Sequence, residues 1–294
     1  MLKISIVIPN WNGRKQLEEN LPHIISQNPH EIIIIDDCSH DDSIKYVKSK
    51  FKGVKIIENK KKLHFAQSCN EGVTTATGNL VCLLNADVKP QNSFLSNSQK
   101  YFSDPNLFGI SLHEKGFGPS LSEFKDGFIG FKKGNESQTP QSTFWISGGS
   151  SIIRRSLWKK LGGFDSKLFP FYFEDLDLSY RAAKRGYKLL WAHDCPVEHK
   201  HETYYNSLFT SETLDFMKQT RLLLFIWKNL TDKILFAQHL KALPERVLTA
   251  PGYIKIILSA LSKIGAVISR RKEEKIKSVI TDTEILEKSA GKEK

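Results

Sequence analysis

The chain has 294 residues, a length suited to one large domain or two modest ones. With 40% hydrophobic and 26% charged residues, 18 Gly and 11 Pro, the composition excludes collagen, global disorder and a multi-span membrane protein. The formal net charge of +11, densest over residues 205–294, favours an anionic partner: nucleic acid, a phosphorylated substrate or an acidic lipid surface.

The first half alternates strand and helix signals. Ile4–Ile8 is a β-branched run ended by Pro9, and Arg14–Gln27 places Leu17, Leu21, Ile24 and Ile25 at helical spacing, with a kink expected at Pro22. Glu31–Ile35 contains four consecutive isoleucines, the pattern of a strand buried on both faces. Helices are predicted over Asp41–Phe51 and Ala66–Thr77, and strands over Val54–Ile57 and Leu80–Leu84. This alternation implies an α/β fold with a mainly parallel sheet flanked by helices. Residues 104–142, rich in Gly, Ser, Pro and Phe, read as a long loop or insertion. Helices follow at Arg155–Leu161 and Glu174–Arg185, then a strand at Tyr187–Trp191. From Ser211 the chain reads helical, and the Lys/Glu-rich end after Arg270 reads as frayed or disordered. The four cysteines form no CxxC pair and fit a reducing compartment. The N-terminal apolar run is too short for a secretory signal, and no stretch reaches ~18 uninterrupted apolar residues, the length expected of a membrane span.

In a parallel α/β sheet, ligands bind beyond the carboxyl ends of the strands. Three polar clusters fall at those ends: Pro9–Gly13, Asp36–Asp42 and Asn85–Asp87. Neither GxGxxG nor GxxxxGK[ST] occurs, which removes the main evidence for dinucleotide and P-loop readings. Asp37, an acceptor only when ionised, suits the imide N–H of uracil or thymine or the N1–H of guanine; helix capping by Asp36 and Asp37 is the competing account.

Taken in order, Val7-Ile8-Pro9-Asn10-Trp11-Asn12-Gly13, Ile35–Ser43 with its Asp36-Asp37, and Leu83-Leu84-Asn85-Ala86-Asp87 resemble glycosyltransferase family 2. The resemblance continues through Trp145-Ile146-Ser147-Gly148-Gly149, Gly163-Phe164-Asp165, Phe173–Leu178 and Val197-Glu198-His199, and leans toward bacterial rhamnosyltransferase-like members. It implies the nucleotide-diphospho-sugar transferase (GT-A) fold and an inverting glycosyltransferase active in cell-surface polysaccharide synthesis. The implied organisation is a transferase domain over residues 1–204, with a nucleotide-binding half over 1–103 and an acceptor half over 104–204, then a helical basic extension over 205–294.

The same resemblance implies the roles of individual residues. Asp37 would contact the base, flanked by Pro9 and Trp11, with Asn70 and Asn85 as further nucleotide contacts. Asp87, in the family's DxD position with Asn85 replacing the first acid, would hold Mn²⁺ or Mg²⁺ on the diphosphate. A strand-end turn built from Asn and Asp is the plainer account. His199 would complete the metal site, with His201 competing for the role. Asp175 would be the general base and Glu174 its neighbour, although acids also cap helix N-termini. Trp145, Gly148 and Gly149 would bind the acceptor. A further departure is His64, where the family often has a small residue, after the lysine run Lys60–Lys62. Expected partners are a UDP- or dTDP-sugar donor and a glycan or lipid-linked acceptor. No zinc-finger spacing or RNP-like motif points to nucleic acid.

Tyr253–Arg270 reads as an amphipathic helix interrupted only by Gly265, followed by Arg270, Arg271, Lys272, Lys275 and Lys277. It suits an anionic membrane interface or, alternatively, packing on the domain. A cytoplasmic location is expected, extending to the inner face of the membrane as a peripheral protein. A catalytically silent glycan- or membrane-binding relative is the alternative function.

Overall fold

The computed structural model describes residues 2–91, 93–201 and 208–290. Its frame is one nine-stranded sheet. β1 (Ile4–Asn10), β2 (Glu31–Asp36), β3 (Lys55–Glu58) and β4 (Leu80–Leu84) run parallel in the order β3-β2-β1-β4. The sheet continues through β10 (Ser150–Arg154), β6 (Leu107–Glu114), β11 (Lys188–His199) and the short β5 (Val88–Pro90). β10, β5 and β9 (Gln141–Ser142, on β11) run antiparallel, so most strands share one direction. β1 extends through Pro9, but its ladder to β4 ends at Val7, before the residue that lacks an N–H.

The isoleucine runs sort by parity. Ile6, Ile8, Ile32 and Ile34 pack with Leu17, Leu21 and Ile24 of α1 (Arg14–Ile25) and with α2 (Ser43–Lys50). Val7, Ile33 and Ile35 face Ala66, Cys69 and Val73 of α3 (His64–Thr75), along with Trp158 of α5 (Arg155–Leu161) and Leu178 of α6 (Glu174–Lys184). Period-2 alternation on a sheet covered on both faces produces this division. Pro22 is accommodated inside α1, and the short α4 (Phe94–Ser98) follows β5.

Two expectations are corrected. Residues 104–142 are not a long loop: they contain β6, in the middle of the sheet, and the hairpin β7 (Ser120–Lys125) and β8 (Phe128–Lys133). Their many Gly and Ser residues obscured a strand whose Leu107, Phe108, Ile110 and Leu112 are buried. The chain from Arg270 to Ala290 is not frayed; residues 291–294 lie outside the described residues. After α7 (Ser211–Asn229), α8 (Lys233–Thr249) and α9 (Tyr253–Leu261), it continues as α10 (Ile264–Lys277) and α11 (Asp282–Lys288). The expected single helix over Tyr253–Arg270 is thus two, broken at Ser262-Lys263. Leu223–Trp227, Ile256, Val267, Ile285 and Leu286 share one core with Phe144, Phe169 and Tyr180. Arg185 pairs with Glu274, and Lys184 with Asp282 at 3.0 Å, both bridges almost excluded from water.

Candidate active site

The polar clusters converge where the strands end. On the β1/β2 side, Asp36 is buried and holds the turn itself, accepting from Asn10 Nδ2 (2.8 Å) and the Ser39 amide (3.0 Å). Asp37 reaches the next segment. It accepts from the backbone N–H of Leu63 (2.7 Å) and His64 (2.9 Å) and from Asn59 Nδ2 (3.1 Å), and so ties β2 to the start of α3. Lys62 projects over the Trp11 ring, 3.7 Å from its centroid. Pro9 lies one residue before Asn10 on the same rim. Asn70 is elsewhere engaged: its Nδ2 donates to Phe164 O and its Oδ1 accepts from Phe164 N, each at 2.9 Å. That reciprocal pair docks α3 on the Gly163-Phe164 turn.

The second cluster joins three strand ends. A register shift in β11 between Ala192 and Pro196 carries the strand on to pair Val197 with Glu114 and His199 with Val88. Such a bulge re-aims side chains, and it absorbs Pro196 where a regular ladder would lose a bond. His199 Nδ1 lies 2.9 Å from Glu114 Oε1 and its Nε2 lies 3.3 Å from Asp87 Oδ1. His201 Nε2 is 3.1 Å from Glu114 Oε2, and the two imidazoles stack at 4.0 Å. Burial pulls the His199 pKa down, but its bonds to Asp87 and Glu114 prevail and raise it to about 9. Glu114 went unnoticed in the sequence; its signal was an acid closing an apolar alternation, in a stretch read as loop.

The third cluster sits at the start of α6. Tyr172 and Phe173 both have left-handed φ, +56° and +71°, a costly backbone for aromatic residues that serves to turn the next two acids inward. Glu174 is buried, and its Oε2 has no hydrogen-bond partner. Burial, then the adjacent Asp175, pushes its carboxyl well above the ordinary range. Asp175 is also raised by burial, but it accepts from Gly148 N (3.1 Å) and Leu176 N (2.7 Å), which favour its charged form. Burial thus raises both carboxyls, Glu174 the more, while the two N–H donors oppose the shift at Asp175.

One cavity of about 380 Å³ unites these groups: Glu174, Asp175, Asn85, Glu114, His199 and His201 all line it. Trp145 forms part of its wall and packs against Phe131, ring centroids 4.3 Å apart. Gly148 and Gly149 line it as backbone. A Cβ on Gly149 would stand 2.4 Å from Asn85 Nδ2, so only glycine lets β10 approach that amide. Asn85 N in turn donates to Gly149 O at 2.8 Å. Asp37, Trp11 and Pro9 do not line this cavity; they form the β1/β2 rim.

Residues 5–162 match the family model described as glycosyl transferase family 2, more than half of the chain. The chain belongs to that family. This glycosyltransferase is 23% identical over 218 residues to the O-antigen chain rhamnosyltransferase of Salmonella typhimurium, covering 68% of this chain and 67% of that relative. It is 24% identical over 223 residues to the chondroitin synthase of Pasteurella multocida, covering 62% of this chain but only 23% of the synthase. Among solved structures, GalNAc-T7 with UDP, GalNAc and Mn²⁺ superposes with a TM-score of 0.64 at 18% identity, covering 79% of this chain and 49% of that one. The mannosyltransferase of Pyrobaculum calidifontis with GDP-Man and Mn²⁺ gives 0.57 at 16% identity, covering 98% and 86%. These likenesses establish the GT-A fold of the family 2 enzyme.

Proposed function

We propose that this family 2 enzyme transfers one sugar, with inversion, from a nucleoside-diphosphate sugar to a hydroxyl of a glycan or lipid-linked acceptor in surface polysaccharide synthesis. The observation that carries the reading is the adjacent pair Glu174-Asp175, with Asp175 anchored by the Gly148 and Leu176 N–H groups, in a cavity shared with the Glu114–His199 cluster. Asp175 takes the acceptor hydroxyl proton. The freed oxygen lone pair attacks the anomeric carbon, and the bond to the diphosphate breaks with its electron pair going to the phosphate oxygen. A protonated Glu174 spares Asp175 an adjacent negative charge, which keeps Asp175 ionised and able to accept a proton.

A divalent cation fits this chain's donors: carboxylate oxygens and imidazole nitrogens are ligands of Mn²⁺-like ions, and Glu114, His199 and His201 each offer one atom within 4.8 Å of the others. Asp87, His199 and Glu114 would hold the ion, with His201 at the exposed side. When bound, such an ion neutralises charge on the departing diphosphate. The Mn²⁺ in the GalNAc-T7 and mannosyltransferase structures supports this assignment.

We place the nucleotide on the half comprising residues 1–103, its base against Asp37, Trp11 and Pro9, and the acceptor on the half comprising 104–204, against Trp145 and the Gly148-Gly149 backbone. Residues 205–294 act as the extension that braces α6. UDP and dTDP suit Asp37 through their imide N–H, and the reaction is assigned to the cytoplasm. The test is turnover of UDP-, dTDP- and GDP-sugars with Mn²⁺, with the anomeric configuration of the product read by NMR. Release of nucleoside diphosphate with an inverted product supports the proposal. A retained configuration, or no turnover of any donor with a broad panel of glycan and lipid-linked acceptors, overturns it.

A further inference from the structure

The C-terminal helices have two unlike faces. Inward, Tyr253, Ile256 and Ala260 of α9 and Val267 of α10 are buried in the core formed with α7. Arg271 is drawn in as well, donating to Trp227 O (2.7 Å) with its guanidinium 3.9 Å from the Phe236 ring centroid. Outward, Ile254, Leu258 and Leu261 recur at i, i+4 and i+7 on α9, and Ile264 and Ile268 at i, i+4 on α10, all exposed. Leu248 at the end of α8 is 82% exposed. Apolar residues at helical spacing that face water, after the inner face has already found its core, are a surface awaiting a partner.

The charge pattern states the partner's chemistry. No acidic residue lies between Glu245 and Glu273, whereas Arg246, Lys255, Lys263 and Lys272 are exposed within that interval. Lys255 follows Ile254 directly, and Lys263 sits at the α9/α10 break between Leu261 and Ile264. Lysines interleaved with aliphatic side chains suit the boundary of an anionic bilayer, where stems lie along acyl chains and ammonium groups reach phosphates. No helix among the described residues is long and apolar enough to cross a membrane, so this surface lies on a bilayer rather than in it. A second copy of the chain is the poorer occupant, because it would bring like charges together across the contact.

We propose that the outer face of α9 and α10, with the end of α8, docks the protein on an anionic lipid surface. This rests on the transferase reading only for its purpose, delivery of Asp175 to a membrane-borne acceptor. The docking is tested without any sugar transfer. The intact protein is floated with vesicles of phosphatidylcholine, with and without phosphatidylglycerol. Flotation with the anionic vesicles, reduced by added salt, is expected, with little on phosphatidylcholine alone. Lys255→Gln and Lys263→Gln should each lower the partition about fivefold, corresponding to ~1 kcal/mol per basic residue near an anionic surface. The triple variant Ile254→Gln/Leu258→Gln/Leu261→Gln should lose flotation with unchanged thermal unfolding. Equal flotation of wild type and triple variant overturns the proposal. So does an absence of flotation, with light scattering instead showing a dimer that the triple variant loses. A transferase that fails to turn over but still floats leaves docking intact and rejects the function alone.

Discussion

Lys228 Nζ stands 2.7 Å from Asp177 Oδ1, with the lysine side chain 3% exposed and the aspartate wholly buried. The same ammonium lies 3.0 Å from Asp165, which Arg270 also reaches at 2.5 Å, while Arg181 pairs with Asp177 at 2.8 Å. One buried network thus joins α7 and α10 to α6, two residues beyond the acid proposed as base. The i,i+4 spacing of Asp177 and Arg181 is that of an ordinary helix-face pair; with Lys228 it becomes an internal strut. Removing Lys228 takes one cation from two buried carboxylates and leaves each with a single cationic partner, at a cost of about 3 kcal/mol, the low end for a broken buried pair. Lys228→Met should therefore lower the unfolding free energy by that order in urea titration, and Lys228→Met with Asp177→Asn should recover part of it. A Lys228→Met protein of unchanged stability would show that the strut carries nothing.

The same network sets an acid limit. Burial alone would raise the Asp177 carboxyl, but Lys228 and Arg181 prevail and hold it at about 2, against 3.8 for an ordinary aspartate. A depressed folded-state value contributes stability above the unfolded value and loses it as pH falls through the folded one. Asp177 should contribute about 2 kcal/mol at neutral pH, lost between about pH 4 and pH 2. Urea titrations across that window should show the decline shrink in Asp177→Asn, where no carboxyl remains to titrate.

What the sequence disclosed follows from distance along the chain. The Ile32–Ile35 run and Leu80–Leu84 declare buried strands locally, and Asp87 and Asp175 declare themselves by lying at a strand end and a helix start. Lys228 could not, because its partner Asp165 is 63 residues away and a lysine in an apolar helix normally reads as snorkelling to water. Glu274 and Asp282 sit in a charge-rich tail whose composition resembles a solvated end; only the folded structure pairs them with Arg185 and Lys184 of α6. The docking of Asn70 on the Phe164 backbone was equally illegible, because the two residues lie 94 positions apart.

Asp37 carries two loads, which separate by measurement. Its bonds to the Leu63 and His64 amides shape the entry to α3, where His64 itself has a left-handed φ of +64°. The proposed bond to the base adds a charge-assisted contact. Asp37→Ala should weaken UDP or dTDP binding by roughly 1.5–3 kcal/mol in calorimetry, the range for a hydrogen bond to a charged group. Unchanged affinity in a folded variant would restrict Asp37 to holding the loop.

Glu114 supplies the contact that most distinguishes the proposed metal site from a reading limited to Asp87 and His199. Its Oε1 also accepts from Ser150 Oγ at 2.5 Å, so the carboxylate is fixed from two sides. Glu114→Gln keeps the size and removes the charge. Mn²⁺ binding, followed by electron paramagnetic resonance of the free ion, should weaken at least ~10-fold, the scale at which supporting ligand contacts act. EDTA should abolish transfer in the wild type, with Mn²⁺ or Mg²⁺ restoring it. Full activity in chelator would assign the cluster a structural role.

Asp175 and Glu174 give the sharpest comparison, because adjacent acids in one cavity are expected to behave oppositely. Asp175 is held toward its charged form by two backbone N–H donors, whereas Glu174 is buried with one carboxyl oxygen unpartnered, and burial raises its carboxyl well above the ordinary range. Asp175→Asn retains the shape and removes the basic oxygen. Donor affinity should survive while kcat falls ~10²–10⁴-fold, the usual contribution of a positioned base. Glu174→Gln mimics the protonated form that burial favours, so kcat should change by less than ~10-fold. The pH profile separates the two roles further: kcat/KM should fall below the Asp175 pKa, which burial raises, and Glu174→Gln should keep that acid limb. If Glu174→Gln abolishes turnover while Asp175→Asn is active, the base is Glu174, and the N–H donors of Gly148 and Leu176 serve only to anchor the start of α6.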